Sequence, residues 1–215
     1  MINETMTIHE ALSELKMLDK RIRSAIQRGT FCATNKHSNQ KIDGKSIRDF
    51  EADVKSSFDS INSLISRRAA IRNALSASNA KTTVSIAGMN LSIAEAIEMK
   101  NSGIENYRVL LERLNYQYAM AINEINRTNG DALQKKADDY VTNLYGSSKD
   151  KAVDAETVAK ARETYIAANT VDFIDPLHLK KEIENLDAFI EKFKAEVDSK
   201  ISISNALTTI EVSYE

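Results

Sequence analysis

The chain has 215 residues, with 29 Lys and Arg against 31 Asp and Glu, a net charge of −2 at neutral pH. That length can bury a core without metals or disulfides, and 42% hydrophobic with 28% charged residues is a globular balance, not a disordered one. A near-neutral chain lacks the cationic surplus of a sequence-independent nucleic-acid binder, so nucleic acid is not an expected partner.

One Pro, six Gly and no Trp punctuate the chain. So few breakers favour long helices over a sheet-rich fold, which needs frequent turns. The expected class is mainly α: one helical domain over 1–215, with long antiparallel helices in coiled-coil-like packing. A small β-hairpin or sheet is expected from residues near 82–92 and 208–214. The lone Cys32 cannot form an internal disulfide, which fits a cytoplasmic protein. The first ten residues include Asn3, Glu4 and His9 and no apolar run, so no signal peptide is expected. No stretch approaches the roughly 18 apolar residues of a membrane span.

The first helix should start near Thr7, with Glu10 completing a capping box. Ile8, Leu12, Leu15, Leu18 and Ile22 recur at helical spacing, and Gly29 ends the run. Residues 30–46 are polar and read as a loop. A second helix begins near Ser46 with the seam Ile47, Phe50, Val54, Phe58, Ile61 and Ile65, then Ile71 and Leu75, and stops near Asn79. From Lys81 to Ile93, β-branched Thr82, Thr83, Val84 and Ile86 alternate apolar with polar. With turn chemistry at Gly88 and Asn90, they read as a hairpin.

Ser92 and Glu95 form a second capping box and open the longest helix. Its seam is Ile93, Ile97, Ile104, Tyr107, Leu111, Leu114, Tyr118, Ala121 and Ile125, with Lys100 in one slot and Gly103 as a kink site. Its near-heptad repeat argues for coiled-coil packing. Asn129-Gly130-Asp131 breaks the helix before Leu133, Ala137, Tyr140, Val141 and Leu144 resume it. Residues 146–152 read as a polar loop, and Asp154 caps a short helix over 155–168. Thr170 to Ile174 reads as extended. Asp175-Pro176 marks a helix start, with Asp at the cap and Pro in the first position. The last helix has the seam Leu179, Ile183, Leu186, Ile190, Phe193 and Val197 and stops near Asn205. Ile210 to Tyr214 alternates as a strand.

One motif occurs twice. Ser78-Asn79-Ala80-Lys81-Thr82-Thr83 and Ser204-Asn205-Ala206-Leu207-Thr208-Thr209 agree at five of six positions, and each leads into a β-branched strand. On the structural reading, Asn closes a helix and Val84–Ile86 pairs with Ile210–Val212 in one sheet. On the functional reading, Asn79, Thr82, Thr83, Asn205, Thr208 and Thr209 converge and offer donors and acceptors to a small polar ligand. Arg67, Arg68 and Arg72 lie on the preceding helix and would hold its anionic group. Arg68, three residues after Ile65, falls where the apolar seam continues. There it needs a carboxylate or phosphate partner, or a route to water for its head group.

These segments carry a family resemblance. They are Ile8-His9-Glu10-Ala11-Leu12 with the helix after it, and Ser78 to Thr83 followed by Leu91-Ser92-Ile93-Ala94-Glu95-Ala96-Ile97. Val171-Asp172-Phe173 leading to Leu179-Lys180-Lys181-Glu182-Ile183, and the tail from Ser204 to Val212, also match. In them the chain resembles the septicolysin-like family of small bacterial and phage helical proteins. The resemblance implies an α-helical oligomer with a small β element and no established catalysis. It also makes 116–169 a helical insertion relative to shorter members.

Catalytic machinery is not legible. His9, His37 and His178 are scattered and lack metal-type spacing to one another or to Cys32. Gly44-Lys45-Ser46 imitates the end of a P-loop, but Asn39 occupies the earlier glycine position and no strand precedes it. Asp138-Asp139 reads as a solvated face. No enzyme activity, metal or cofactor is expected. The preferred functional reading is a cytoplasmic homo-oligomer that binds and sequesters a small anionic ligand, a nucleotide immune signal of the kind taken up by phage anti-defence sponges. The alternative is a structural or scaffold protein of a phage particle or assembly, acting through helix–helix contacts.

Overall fold

A computed structural model describes residues 2–146 and 154–214, which are mainly α-helical with small two-stranded antiparallel sheets. They gather into two units, Met1–Ser102 with Lys192–Glu215, and Gly103–Glu191.

In the first unit, strand β1 (Ile2–Thr7) leads into helix α1 (Ile8–Arg28). Thr7 caps the helix: its hydroxyl accepts from the Glu10 N–H, while the Glu10 carboxylate accepts from the Thr7 N–H at 2.7 Å. Ile8, Ala11, Leu15 and Leu18 are buried along one stripe, as their spacing predicts. Gly29 ends α1 in extended rather than left-handed backbone, its N–H donating to the Ala25 carbonyl. The expected loop at 30–46 contains a hairpin, β2 (Lys41–Ile42) and β3 (Lys45–Ser46), turned by Asp43 and Gly44 at φ 49° and 80°. Asp-Gly is a two-residue hairpin signal, but strands this short carry no alternation to accompany it.

Ser46 caps α2 (Ile47–Lys81) through the Asp49 N–H. Ile61, Ile71 and Leu75 are buried, and Leu64 packs against the core. Ile65, by contrast, is 44% exposed. The seam therefore runs through Ile61, Leu64, Arg67, Ile71 and Leu75, so the arginine in the apolar stripe is Arg67 and not Arg68. After α2 come β4 (Thr83–Ile86) and β5 (Met89–Ser92), the expected hairpin. Ala87 and Gly88 turn it, at φ 50° and 86°, whereas Asn90 lies within the strand.

The Ser92–Glu95 box opens α3 (Ile93–Glu98). A π-helical turn, Met99–Gly103, joins it to α4 (Ile104–Asn129). Gly103, read as a kink site, is the last residue of this turn. Met99 is half-buried, while Lys100 turns outward and pairs with Asp198 at 2.5 Å.

The small β element differs in pairing from the expectation of one shared sheet. Val84–Ile86 pairs with β5, whereas Ile210–Val212, in β6 (Thr209–Tyr214), pairs with β1 from Thr7↔Thr209 to Ile2↔Tyr214. Strand β1 has too few apolar residues to stand out in the sequence and exists through this pairing. Met6, Ile210 and Val212 face inward and join Ile8, Ala11, Leu15, Leu18, Ile71 and Leu75 in one core cluster. Each large apolar side chain fully buried there contributes about 1.5–3 kcal/mol.

The second unit contains α4, α5 (Asp131–Tyr145), α6 (Ala155–Asn169) and the first part of α7 (Leu179–Leu207). The polar loop expected at 146–152 lies, beyond Gly146, outside the described residues. Leu133 and Ala137 are buried on α5, and Arg162 of α6 donates to Asp138 and Gln134 of α5 at 2.6 and 2.7 Å. The extended stretch at 170–174 pairs with no strand. The Asn129 side-chain amide instead meets the Val171 backbone in both directions, at 2.8 Å each. Helix α7 begins three residues later than Asp175-Pro176 suggested. Pro176 and Leu177 form a turn, His178 takes a left-handed φ of 54°, and the Asp175 carboxylate caps the Leu179 N–H.

Candidate functional site

The two Ser-Asn-Ala-x-Thr-Thr segments end α2 and α7 in the same way. The Thr82 N–H donates to the Ser78 carbonyl at 2.8 Å, and the Thr208 N–H donates to the Ser204 carbonyl at 2.9 Å. The likeness continues past the motif. The Thr82 carbonyl accepts from the Ile93 N–H, and the Thr208 carbonyl accepts from the Ile8 N–H. Thr83 pairs with Ser92, and Thr209 pairs with Thr7. Ser92 and Thr7 each open a helix with a capping box. The unit therefore holds two copies of one module: helix end, two antiparallel strands, capped helix start. Ala87 and Gly88 connect the strands in one copy; in the other the strands are β1 and β6, far apart in sequence.

The modules meet at an open cleft of about 390 Å³ lined by Ser78 and Lys81 of α2 with Thr82 just after it, and by Thr209 and Glu211 of β6 with Thr208 just before it. Alanines 74 and 77 and Ile210 complete the walls. Of the residues expected in a ligand site, Thr82, Thr208 and Thr209 are thus brought together. Thr83 is exposed on its strand, while Asn79 and Asn205 are half-buried at their helix ends; none of the three lines the cleft. Sequence reading missed Ser78, Lys81 and Glu211. Lys81 is the variable position of the motif, where the other copy has Leu207, and a variable position gives no signal in a repeat.

The three arginines also stay off the cleft lining. Arg67 is engaged within the chain by Glu4 and Glu14 at 2.9 and 2.8 Å, and it donates to the Tyr214 hydroxyl at 2.7 Å. Its guanidinium lies 5.2 Å from the Tyr214 ring centroid, and Tyr214 in turn donates to Glu4. That hydrogen bond, with burial second, raises the Tyr214 pKa above the ordinary tyrosine value. The Arg67 Nε is buried without a partner. When the two sequence segments are aligned on their motifs, Arg67 corresponds to the buried Phe193. The cluster is thus an ionic substitute for an apolar seam residue. Arg68 donates to Asp19 at 2.6 Å, which holds that carboxyl below its usual range. Arg72 is exposed.

The second unit has its own concavity, about 580 Å³ between α5 and α6, lined in part by Lys160 and by Tyr140, Tyr145 and Tyr165. Tyr140 and Tyr165 stack on each other at 4.6 Å. Among the described residues no group of three His, Cys, Asp or Glu side chains is placed to hold a metal, and no described helix is long and apolar enough to cross a membrane. No family model matches this chain, and neither does any curated protein or solved structure.

Proposed function

We propose that this protein is a structural, assembly-forming protein that acts through helix–helix contacts, as a scaffold component of a phage particle or similar assembly would. One observation carries the reading. In the second unit, the fully buried hydrophobic residues among those described are Leu133, Ala137 and Ile190 alone. Val109, Leu110, Tyr116, Met120, Tyr140, Leu144, Ile174 and Leu177 of the same unit are exposed. A folded unit with so small a core and so much uncovered apolar surface is suited to burying that surface against another chain. The engagement of Arg67 by Glu4, Glu14 and Tyr214 supports the same choice, since that guanidinium is not spare for a ligand phosphate.

A second reading, sequestration of a small anionic ligand in the cytoplasm, is favoured by the cleft where the repeated segments meet. Its hydroxyls and the Lys81 ammonium would hold the anion, although Glu211 opposes it. Native mass spectrometry of the full chain purified from cells separates the two readings. Assembly predicts a discrete multiple of the chain mass with no added small molecule. Extra mass that leaves on denaturation, and is lost in Lys81→Ala, would move the conclusion to sequestration. A bare monomer at every concentration, alone and with host extract, would sink the assembly reading.

A further inference from the structure

We propose that the outward face of α4 docks a second copy of this chain, antiparallel and across a two-fold axis. The inference rests on the assembly reading and names its partner and register. The face is the stripe Asn106, Val109, Arg113, Tyr116, Met120 and Asn123, spaced alternately by three and four residues within α4. That spacing keeps all six on one side of the helix in coiled-coil register. The stripe lies opposite the half-buried seam of Ile104, Leu111 and Tyr118, and Val109, Tyr116 and Met120 are 57, 57 and 54% exposed.

Read in either direction, the stripe complements itself: amide meets amide, apolar meets apolar, and cation meets aromatic. A two-fold interface needs this self-complementarity, because residue i must meet residue j while j meets i. Turned end for end, the stripe sets Asn106 against the partner's Asn123, Val109 against the partner's Met120 and Arg113 against the partner's Tyr116. The Arg113 guanidinium already lies 5.5 Å from the ring centroid of its own Tyr116, so the central layers become a shared cation–aromatic cluster. On the flanks Glu105 and Glu112 come beside the partner's Asn126 and the partner's Ala119, and no like charges meet. Parallel pairing would instead oppose Arg113 to the partner's Arg113, which repels.

Sedimentation equilibrium on the full chain, with and without Tyr116→Glu, tests the contact. The wild type should be an oligomer, and Tyr116→Glu should halve its mass with the far-UV circular dichroism unchanged. An oligomer whose mass survives Tyr116→Glu overturns this interface and leaves the assembly reading standing; a wild-type monomer overturns both. Should Tyr116→Glu lose helix, Met120→Glu gives the same readout. The register is checked in a Cys32→Ser background. Val109→Cys combined with Met120→Cys should form an interchain disulfide on mild oxidation, and Val109→Cys alone should not; the opposite result overturns the antiparallel arrangement.

Discussion

Arg67 and Arg68 are adjacent in sequence and unequal in structural weight. Arg67 sits in the apolar seam of α2, is three-quarters covered, and bridges two carboxylates and a phenol. Its removal leaves Glu4 and Glu14 facing each other without a cation. Arg67→Ala should cost about 2 kcal/mol, the usual scale for hydrogen bonds to a charged group, read as a lower urea midpoint. Arg68 makes one half-exposed ion pair with Asp19, and such pairs contribute little once water screens them. Arg68→Ala should change stability by less than about 0.5 kcal/mol. Equal losses would mean that the seam assignment is wrong. Tyr214 adds a pH signature. Its pKa is raised in the folded state from 10.0, so its stabilisation is complete below that pH and is lost as pH rises through the folded value. Thermal melts above pH 10 should therefore fall less steeply in Tyr214→Phe than in the wild type.

Among the elements, the hairpins and capping boxes make separable predictions. Ala87 is a non-glycine residue held at φ 50° in the β4–β5 turn, a conformation that costs an L side chain about 1–2 kcal/mol. Ala87→Asn creates the Asn-Gly pair that such turns prefer and keeps the backbone N–H that donates to Glu196. The expected gain is about 0.5–1 kcal/mol, visible as a higher Tm; a loss would place the strain elsewhere. The capping glutamates Glu10 and Glu95 have lowered pKa values, first from the backbone N–H groups of Thr7 and Ser92. Their stabilisation is present above the ordinary carboxylate value of 4.5 and is lost as pH falls through the folded values. Replacing both by Gln should shallow the acid limb of a pH–stability curve, and an unchanged limb would mean that other carboxylates govern it.

For the whole molecule, the duplicated module predicts that the strand connection can be moved from one copy to the other. Ile2 and Tyr214 are register partners at the end of the β1–β6 pair, just as Ile86 and Met89 are beside the Ala87–Gly88 turn. A permutant joined from Tyr214 to Ile2 by an Asn-Gly turn, and opened between Ala87 and Gly88, should fold with the parent's circular dichroism and unfold cooperatively. A permutant without a cooperative transition would show that the two copies are alike in pattern and unequal in stability.

The sequence by itself determined the helices, their capping boxes and the repeated helix ends. These depend on contacts within a few residues: a Ser or Thr three positions before Glu, apolar side chains three and four apart, and a last N–H that donates four residues back. The repeated helix ends are not closed by Asn79 and Asn205, which lie two residues inside α2 and α7 in right-handed backbone; Thr82 and Thr208 close them. The tertiary structure decided what is non-local. Strand β1 exists because β6 lies beside it. Arg67 rather than Arg68 enters the seam because the helical phase over the Ile65 region is set by what α1 and β6 bury. Asp175-Pro176 becomes a turn because His178 takes the left-handed conformation before α7. The grouping of Thr82 with Thr208 and Thr209, away from Asn79, Asn205 and the arginines, has the same origin. A pattern of residue types shows which face of an element is apolar, and only packing against a partner decides which polar groups are left to converge.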